Sequence, residues 1–391
     1  MKTLADALRE VLAEVPVLPP ISVPMSEALG RSVSREHFAI LPLPPFDQSA
    51  MDGYAVRALD GARPEGLTLV GEQPAGLARD LELRAGEAIR IFTGGKLPPG
   101  ADAVVMQEDV TVESGRVFPQ CPVESGEFIR RTGGDLCVGQ KILSAGIRLT
   151  ATQVALLASQ GLATLEVGNR PRVAILSTGD ELQEPGQPLL PGQIYGSNGL
   201  MLAALARELG AEVIDLGVAV DEPGALREKL RRGLEFDALV ISGGVSVGEH
   251  DLVKSELAGL GVELRLWRVA VKPGKPFLFA RKADCCVFGL PGNPVSSFVT
   301  WLLLVRPAIL KMSGATDLEL PTVQAPLLAA LKNPGDRLLF VRGKLSPVGF
   351  QPLGPQESHA LFSLSQCNAM VRLDPGSEIV IGTSVSVELF G

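Results

Sequence analysis

Small and acidic residues follow the apolar runs of this chain in a pattern that suits phosphate and metal chemistry. Residues 242–251 read SGGVSVGEHD and come directly after an apolar run, residues 238–241, that is typical of a buried strand. A glycine-rich turn at the carboxyl end of a strand commonly binds phosphate, because its free N–H groups point inward. This stretch predicts a substrate-binding turn made by Ser242, Gly243, Gly244 and Ser246, although a tight strand-to-helix turn with solvated acids has the same composition.

Three carboxylates occupy the same kind of position in the sequence. Residues 177–181 read STGDE and follow an apolar run, Asp221 follows the next strand-like run, and Asp251 ends the glycine-rich turn. Because the carboxyl ends of parallel strands meet at one edge of a sheet, Glu181, Asp221 and Asp251 are expected to face one crevice. There they would ligate Mg²⁺, which would bridge phosphate groups. Each acid taken alone could instead be a helix cap or a solvated turn residue.

Two lysines lie on a loop that proline and glycine stiffen. Residues 271–276 read VKPGKP, so Lys272 and Lys275 project from a braced loop that Pro276 closes. Ammonium groups on a rigid loop can hold an anion at a low ordering cost, although a solvated hairpin turn has the same composition.

The start of an apolar helix offers a second place for an anion. Residues 290–296 read LPGNPVS, and Pro294 suits the first turn of the helix that follows. Ser296 then lies beside N–H groups that the helix leaves free. Earlier in the chain, Arg130 and Arg131 could bind a phosphate or carboxylate in a bidentate manner, or form an interdomain salt bridge.

The composition excludes several classes of protein. The net charge of −8 and the aromatic content of 5% argue against nucleic-acid binding. Five cysteines without a CxxC spacing argue against a zinc site or a disulfide framework and favour a reducing, cytoplasmic location. The longest uncharged stretch, residues 285–305, is interrupted by PGNP, which argues against a membrane span. Charged residues interrupt the amphipathic helix expected at residues 1–15, which argues against a signal peptide.

The chain changes character along its length, and its 391 residues predict two to four domains. Residues 1–170 indicate a helical or mixed region with an inserted β-rich domain at roughly 40–135. Residues 171–314 alternate strand and helix, which predicts a parallel sheet, and residues 315–391 alternate apolar and polar positions, which predicts a small β domain. Thr150 and Gln153 predict a helix capping box, and Asn198 is expected to cap a later helix.

Several short motifs occur in order along the chain. They are PFDQSAMDGYA at 45–55, TG at 93–94, GADAVV at 100–105, STGDEL at 177–182, SGGVSVG at 242–248, KPGKP at 272–276 and LPGNPVS at 290–296. Together they resemble the molybdopterin molybdotransferase family, the bacterial relatives of the gephyrin E domain. The resemblance implies an α/β and β multidomain fold: a central parallel-sheet α/β molybdopterin-binding domain, mixed or β-rich N-terminal domains and a small C-terminal β-barrel-like domain. It also implies an elongated homodimer.

The resemblance implies a transferase of molybdenum cofactor biosynthesis that inserts molybdate into adenylylated molybdopterin, releases AMP and uses Mg²⁺. Its active crevice would lie between the α/β domain of one subunit and the N-terminal β part of the other. The catalytic residues it implies are Asp52, Thr93 and Asp135 from the N-terminal part and the carboxylates Glu181, Asp221 and Asp251. The residues it implies for molybdate or the pterin phosphate are Lys272, Lys275, Pro276, Ser296, Arg342 and Ser365. The adenylyltransferase of the same pathway is a possible partner.

Two other functions fit parts of the sequence. The adenylyltransferase that prepares the pterin substrate has a domain similar to residues 171–314, but its loop usually reads GGTG where this chain has GGVS. The N-terminal and C-terminal regions also favour the molybdotransferase. A scaffold resembling the gephyrin E domain is the other alternative, against which the acids at Asp52, Glu181, Asp221 and Asp251 favour catalysis.

Overall fold

The computed structural model describes residues 1–76, 79–220, 222–244 and 252–391, which divide into two compact units. The first unit comprises Met1–Arg35, Ala145–Ala155 and Leu162–Gly391. The second comprises Glu36–Ser144 and Leu156–Gly161. The β-rich second unit is thus an insertion in the sequence of the first.

A six-stranded sheet forms the centre of the first unit. Its strands, in spatial order, are Glu212–Ala219, Arg172–Thr178, Ala238–Ser242, Cys285–Leu290, Leu278–Lys282 and Glu263–Trp267. The first four strands are parallel, which confirms the prediction for residues 171–314, whereas Leu278–Lys282 is antiparallel to both of its neighbours. Ala238–Ser242 and Cys285–Leu290 are buried along their whole length, which explains their continuous apolar sequence.

Helices cover both faces of this sheet. The helices of the chain are Leu4–Glu14, Ala151–Ser159, Ser197–Glu208, Pro223–Gly233, Leu252–Gly259, Pro294–Met312 and Leu361–Ser365, with short 3₁₀ turns at Met25–Glu27, Ala58–Asp60 and Gln107–Asp109. Residues of Leu4–Glu14, Ser197–Glu208 and Pro294–Met312 form one apolar core with the sheet. Leucines of Pro223–Gly233 and Leu252–Gly259 contribute to the apolar core on the other face.

The helix Pro294–Met312 contains a π-helical stretch, Trp301–Val305. Among the described residues, this is the one helix that is long and apolar enough to cross a membrane. Of its most apolar stretch, 83% is buried inside the protein. Its apolar composition is therefore accounted for by packing in the core. The capping box predicted before another helix is confirmed, since the Thr150 N–H donates to Gln153 Oε1 at 2.9 Å and the Gln153 N–H to Thr150 Oγ1 at 3.4 Å.

A second sheet is built mainly from the C-terminal residues of the first unit. Its strands, in order, are Val271–Lys272, Leu338–Ser346, Ala369–Leu373, Ser384–Leu389 and Thr322–Pro326, and Gly349–Pro352 pairs with Leu338–Ser346. Short two-stranded ribbons join Ile21–Pro24 to Thr164–Val167, Leu182–Gln183 to Ile194–Tyr195 and Leu331–Lys332 to Glu378–Ile379. Val385 and Val387 are buried, as their alternation predicts. Through Val271–Lys272, the lysine loop begins as an edge strand of this sheet.

The second unit is built on a separate six-stranded sheet. Its strands, in order, are Ala103–Met106, Gly53–Val56, Glu87–Ile91, Leu67–Gln73, Arg116–Pro119 and Val110–Glu113. Two short ribbons accompany it and pair Gln48–Ser49 with Ile129–Arg130 and His37–Phe38 with Lys141–Leu143. The turns beside these strands hold the acidic and threonine residues predicted for the N-terminal part of the site.

Candidate functional site

A cavity of 560 Å³ opens at the carboxyl ends of the parallel strands. It is lined by residues from several segments: Ser177, Thr178, Glu181, Leu182, Ile194, Tyr195, Gly196, Ser197, Asn198, Ser242, Gly243, Gly292, Asn293, Pro294, His359 and Leu361. The structure thus brings together three of the predicted site residues, Glu181, Ser242 and Gly243, at the edge where the topology places ligands. We refer to this space as the sheet-edge cavity.

The two glycines of the predicted anion turn are required by close contacts. Gly243 has φ +91°, and a Cβ atom on it would lie 2.4 Å from the carbonyl oxygen of Thr178. Gly244 has φ +63°, and its Cβ would lie 2.4 Å from Val253 Cγ2 and 2.6 Å from Thr178 Oγ1. Both the backbone angle and the space therefore exclude a larger residue.

Asn198 ties the anion turn to the start of the helix Pro294–Met312. Its Nδ2 donates to Ser242 Oγ at 2.9 Å and to the carbonyl oxygen of Gly292 at 2.7 Å. The prediction that Asn198 caps its own helix is wrong: the helix begins at Ser197, and the capping residue, Gly196, makes no side-chain bond. The amide is used for a tertiary contact, which local sequence spacing does not reveal.

The C-terminal segment of the first unit reaches the same cavity. Asn293 Nδ2 donates to Ser358 Oγ at 2.9 Å, and the backbone N–H of Val295 donates to the carbonyl oxygen of Ser358 at 3.1 Å. These bonds hold His359 at the cavity, with its imidazole exposed. Sequence reasoning missed His359, because its sequence neighbours carry no recognisable motif.

The lysine loop packs against this same helix. Gly274 has φ +116°, and a Cβ on it would lie 2.5 Å from Thr300 Cγ2 and 3.6 Å from the carbonyl oxygen of Ser296. The loop therefore lies next to Ser296, which is buried. Lys272 and Lys275 are both exposed, and neither ammonium group has an ion-pair partner in the described part of the chain. Pro276, which closes the loop, is half-buried.

Arg342 is a fully buried cation with unused donors. Its side chain has 0% exposure, and its Nη2 donates to the carbonyl oxygen of Pro355 at 3.2 Å. Its Nε and Nη1 atoms have no hydrogen-bond partner among the described residues, and burial lowers the pKa of Arg342. A buried charge with unpaired N–H groups is costly unless an anion completes its shell.

The strand of Arg342 adjoins the lysine loop, and the Arg342 backbone is bonded to the segment that leads to the cavity. This strand, Leu338–Ser346, pairs in parallel with Val271–Lys272, where Lys272 lies opposite Leu339. The Gln356 side chain accepts a hydrogen bond from the Arg342 N–H and donates one to the Arg342 carbonyl oxygen. Gln356 directly precedes the segment that reaches the cavity. We call the four predicted anion-binding residues Lys272, Lys275, Ser296 and Arg342 the basic cluster, after the three cations among them.

The remaining predictions for the first unit have different outcomes. Ser365 is exposed and its hydroxyl donates to the carbonyl oxygen of Phe362 at 2.7 Å, so no described contact joins it to the cavity or to the basic cluster. Asp221, Ser246 and Asp251 lie outside the described residues. Within the described ranges no three His, Cys, Asp or Glu side chains converge as a metal site would require. Among the three predicted metal ligands, only Glu181 therefore has a described position.

In the second unit, Asp52 and Thr93, two of the residues that the resemblance implies, are hydrogen-bonded to each other. Asp52 Oδ1 accepts hydrogen bonds from the Thr93 N–H at 2.7 Å and from Thr93 Oγ1 at 2.8 Å. These two bonds hold the pKa of Asp52 below its usual range, and the backbone bond from Thr93 has the larger effect. The charge of Arg90 acts in the same direction. The carboxylate is therefore ionised, exposed and fixed in direction.

Asp135 borders a separate cavity of 600 Å³ in the second unit. Its other lining residues are Leu43, Pro44, Pro45, Gln48, Arg130, Arg131 and Gly134. Arg131 Nη1 donates to Asp47 Oδ2 at 2.7 Å, so the salt bridge described for Arg131 forms within this unit. Bonds from Thr132 and Arg131 lower the pKa of Asp47.

Three family models match the chain, one after another. Residues 2–161 match the MoeA N-terminal region (domain I and II), residues 174–311 match a probable molybdopterin binding domain, and residues 324–390 match the MoeA C-terminal region (domain IV). Matches on both sides of the molybdopterin binding domain favour the transferase over an adenylyltransferase built on that domain alone.

Relatives and solved structures agree with these matches. A molybdopterin molybdenumtransferase of Haemophilus influenzae is 37% identical over 402 residues, covering 100% of this chain and 99% of the relative. One of Nostoc is 39% identical over 368 residues, covering 90% and 84%. The crystal structure of a molybdopterin biosynthesis MoeA protein from Pyrococcus horikoshii superposes with a TM-score of 0.84 at 30% identity, covering 100% of both chains. The multidomain fold predicted from the motifs is confirmed.

Proposed function

The chain belongs to the MoeA family of molybdopterin molybdenumtransferases, and on this basis we propose that it inserts molybdate into adenylylated molybdopterin with release of AMP. The observation that carries this proposal is Arg342, a buried guanidinium with two nitrogens that lack partners among the described residues. Molybdate is a tetrahedral dianion, and a planar guanidinium fork is well suited to such an oxyanion.

The basic cluster would hold molybdate from three sides. Arg342 would donate from the buried side, since its unpaired N–H groups gain the most from an anion. Lys272 and Lys275 would approach from the exposed side, where their ammonium groups have no ion-pair partner among the described residues. Ser296, on the first turn of the helix that the lysine loop contacts, would supply a hydroxyl group. The protein as a whole is acidic, with a net charge of −8. Cationic side chains at one place would therefore attract an anion to that place and not to the rest of the surface.

The sheet-edge cavity would hold the phosphoanhydride of the adenylylated substrate. Thr178, Ser242 and Asn293 offer hydroxyl and amide groups, and Gly243 allows the backbone to approach closely. The cavity and the basic cluster share the first turn of the helix Pro294–Met312, since Pro294 lines the cavity and Ser296 adjoins the lysine loop. Phosphate and molybdate would therefore be bound on neighbouring faces of one helix start.

The oxygen groups of the sheet-edge cavity suit a hard divalent cation. Mg²⁺ prefers oxygen ligands, keeps several waters and is usually held by one or two carboxylates together with substrate phosphates. Glu181 provides a carboxylate at the cavity, and Thr178 Oγ1, which has no partner among the described residues, provides a further oxygen. We propose that Glu181, Asp221 and Asp251 hold Mg²⁺, which would offset the charge on the phosphates as AMP leaves.

Asp52, Thr93 and Asp135 are proposed to act from a second copy of the chain. The ionised, oriented Asp52 and the arginine-lined cavity beside Asp135 support this proposal, since they would add charged groups to those of the sheet-edge cavity. This assignment requires the homodimer that the sequence resemblance implies. Sedimentation at micromolar concentration is expected to show a dimer, and a monomer there would contradict it.

A cytoplasmic location and transfer of substrate from the adenylyltransferase of the same pathway complete the proposal. We infer this location from the cysteine content of the sequence, five residues without a CxxC spacing.

Chromatographic measurement of AMP tests the proposed function. Incubation of the protein with adenylylated molybdopterin is expected to release AMP only when both molybdate and Mg²⁺ are present. Release that ignores molybdate would indicate a simple phosphoanhydride hydrolase. If no AMP is released under any condition, a scaffold function would be favoured instead.

A further inference from the structure

Asn198 holds together two loops that border the sheet-edge cavity. Its Nδ2 atom lies 2.9 Å from Ser242 Oγ and 2.7 Å from the carbonyl oxygen of Gly292. Because a carbonyl oxygen only accepts hydrogen bonds, the atom that faces Gly292 must be the amide nitrogen, which fixes the orientation of the amide. Asn198 therefore donates to both loops at once.

The bond from Asn198 determines where the Ser242 hydroxyl can donate. Ser242 has 2% exposure, and its oxygen accepts the hydrogen bond from Asn198. Its own proton must then point away from that amide, and no described residue accepts it. Since Ser242 lines the cavity, this proton is available to an acceptor bound there.

Thr178 supplies a second hydroxyl at the same place. Its side chain has 3% exposure and lines the cavity, and its Oγ1 atom has no hydrogen-bond partner within the described ranges. A buried hydroxyl without a partner costs free energy that a bound acceptor would recover. Two buried hydroxyl donors at one edge suit an oxyanion such as a phosphoryl group.

We propose that Asn198 is a positioning residue that directs the Ser242 hydroxyl, together with the Thr178 hydroxyl, at a phosphoryl oxygen of the substrate. This inference rests on the proposed function, since the phosphoryl group is that of adenylylated molybdopterin. Asn198 acts through Ser242 and through the loop of Gly292, without contact with the reacting atoms.

A double-mutant cycle tests the link between Asn198 and Ser242. The rate of AMP release is measured for Asn198→Ala, Ser242→Ala and the double variant. Each single change is expected to raise the KM for adenylylated molybdopterin about tenfold, and the double variant should resemble Asn198→Ala alone. Effects that multiply in the double variant, or an unchanged KM in Asn198→Ala, would overturn the proposal.

Asn169→Ala is the matched control. Among the described residues, the Asn169 side chain accepts a hydrogen bond only from the neighbouring Arg170 N–H, at 2.8 Å, and Asn169 does not line the cavity. Its loss should leave the KM unchanged. Thr178→Val keeps the shape of the side chain and removes a hydroxyl without a described partner, so its melting temperature should not fall while its KM rises. A fall in melting temperature with an unchanged KM would mean that Thr178 is only structural.

Binding of AMP alone separates the failure of this inference from failure of the proposed function. Titration calorimetry with AMP as the probe needs no turnover. We expect about tenfold weaker binding to Asn198→Ala and to Thr178→Val than to the wild type. Equal affinities, or no binding to the wild type, would overturn the inference, whereas absence of AMP release would overturn only the proposed function.

Discussion

Replacing Arg342 with methionine should leave the protein at least as stable and make it much less active. The guanidinium is fully buried and, in the part of the chain that the structure describes, donates one hydrogen bond, to the carbonyl oxygen of Pro355. Removing an incompletely paired buried charge relieves its desolvation penalty, and apolar replacements of buried charges stabilise some proteins by about 1–4 kcal/mol. The lost bond from the charged guanidinium to Pro355 offsets about 1.5–3 kcal/mol of this, so we expect the free energy of unfolding to change little, by about 0–1 kcal/mol towards higher stability.

The same change should weaken molybdate binding strongly. Two unpaired nitrogens, Nε and Nη1 of Arg342, are free to donate to the oxyanion. Hydrogen bonds to charged groups contribute about 1.5–3 kcal/mol each, so two of them correspond to about 3–6 kcal/mol. Since about 1.4 kcal/mol is a factor of ten, the molybdate concentration for half-maximal AMP release should rise by about 10²-fold or more.

Urea unfolding without molybdate, together with the molybdate dependence of AMP release, measures both effects. Arg31→Met is the matched control, because Arg31 is also buried but its Nε and Nη2 both donate to the carbonyl oxygen of Gly168, at 3.3 and 3.0 Å. That variant should lose stability and keep its molybdate dependence. The reasoning is refuted if Arg342→Met loses stability as Arg31→Met does and keeps the wild-type molybdate curve.

Four further changes have defined outcomes. Glu181→Gln should fold normally and lose about 10²-fold in rate, which steady-state kinetics at saturating Mg²⁺ would show. Lys275→Ala should raise the half-maximal molybdate concentration several-fold without altering melting, and an unchanged curve would count against the basic cluster. Thr93→Val should raise the Asp52 pKa toward its usual value in an NMR titration, because it removes one of the bonds that lower it. The ionised Asp52 thus stabilises the fold when the pH is above the usual pKa of an aspartate. This stabilisation is lost as the pH falls through the lowered pKa of Asp52. Burial raises the pKa of Cys285 to about 12, so a thiol reagent followed by mass spectrometry should modify it only after unfolding.

The regular parts of the fold could be predicted from the sequence because they depend on local patterns. Apolar runs bounded by turns predicted the parallel strands, and the spacing of Thr150 and Gln153 predicted the capping box. Pro294 begins its helix as expected, because its fixed φ suits a first turn. The antiparallel strand Leu278–Lys282 did not emerge from the alternation of strands and helices, since strand direction depends on the connection and not on composition.

The candidate site could be predicted only where a motif carried it. Gly243 of the anion turn and Glu181 line one cavity because chain topology brings strand ends together. Asn198 was misassigned, since its partners, Ser242 and Gly292, are distant in sequence and an asparagine near a helix start usually caps. His359 and the burial of Arg342 also depend on tertiary packing of the C-terminal segment, which no local pattern encodes.

The most direct test of the account is to quantify two products in one reaction: AMP by chromatography and the molybdenum-bearing pterin by mass spectrometry. With adenylylated molybdopterin, molybdate and Mg²⁺ present, the account predicts that both form in equal amounts and that neither forms when molybdate is omitted. AMP released without molybdenum entering the pterin would contradict it.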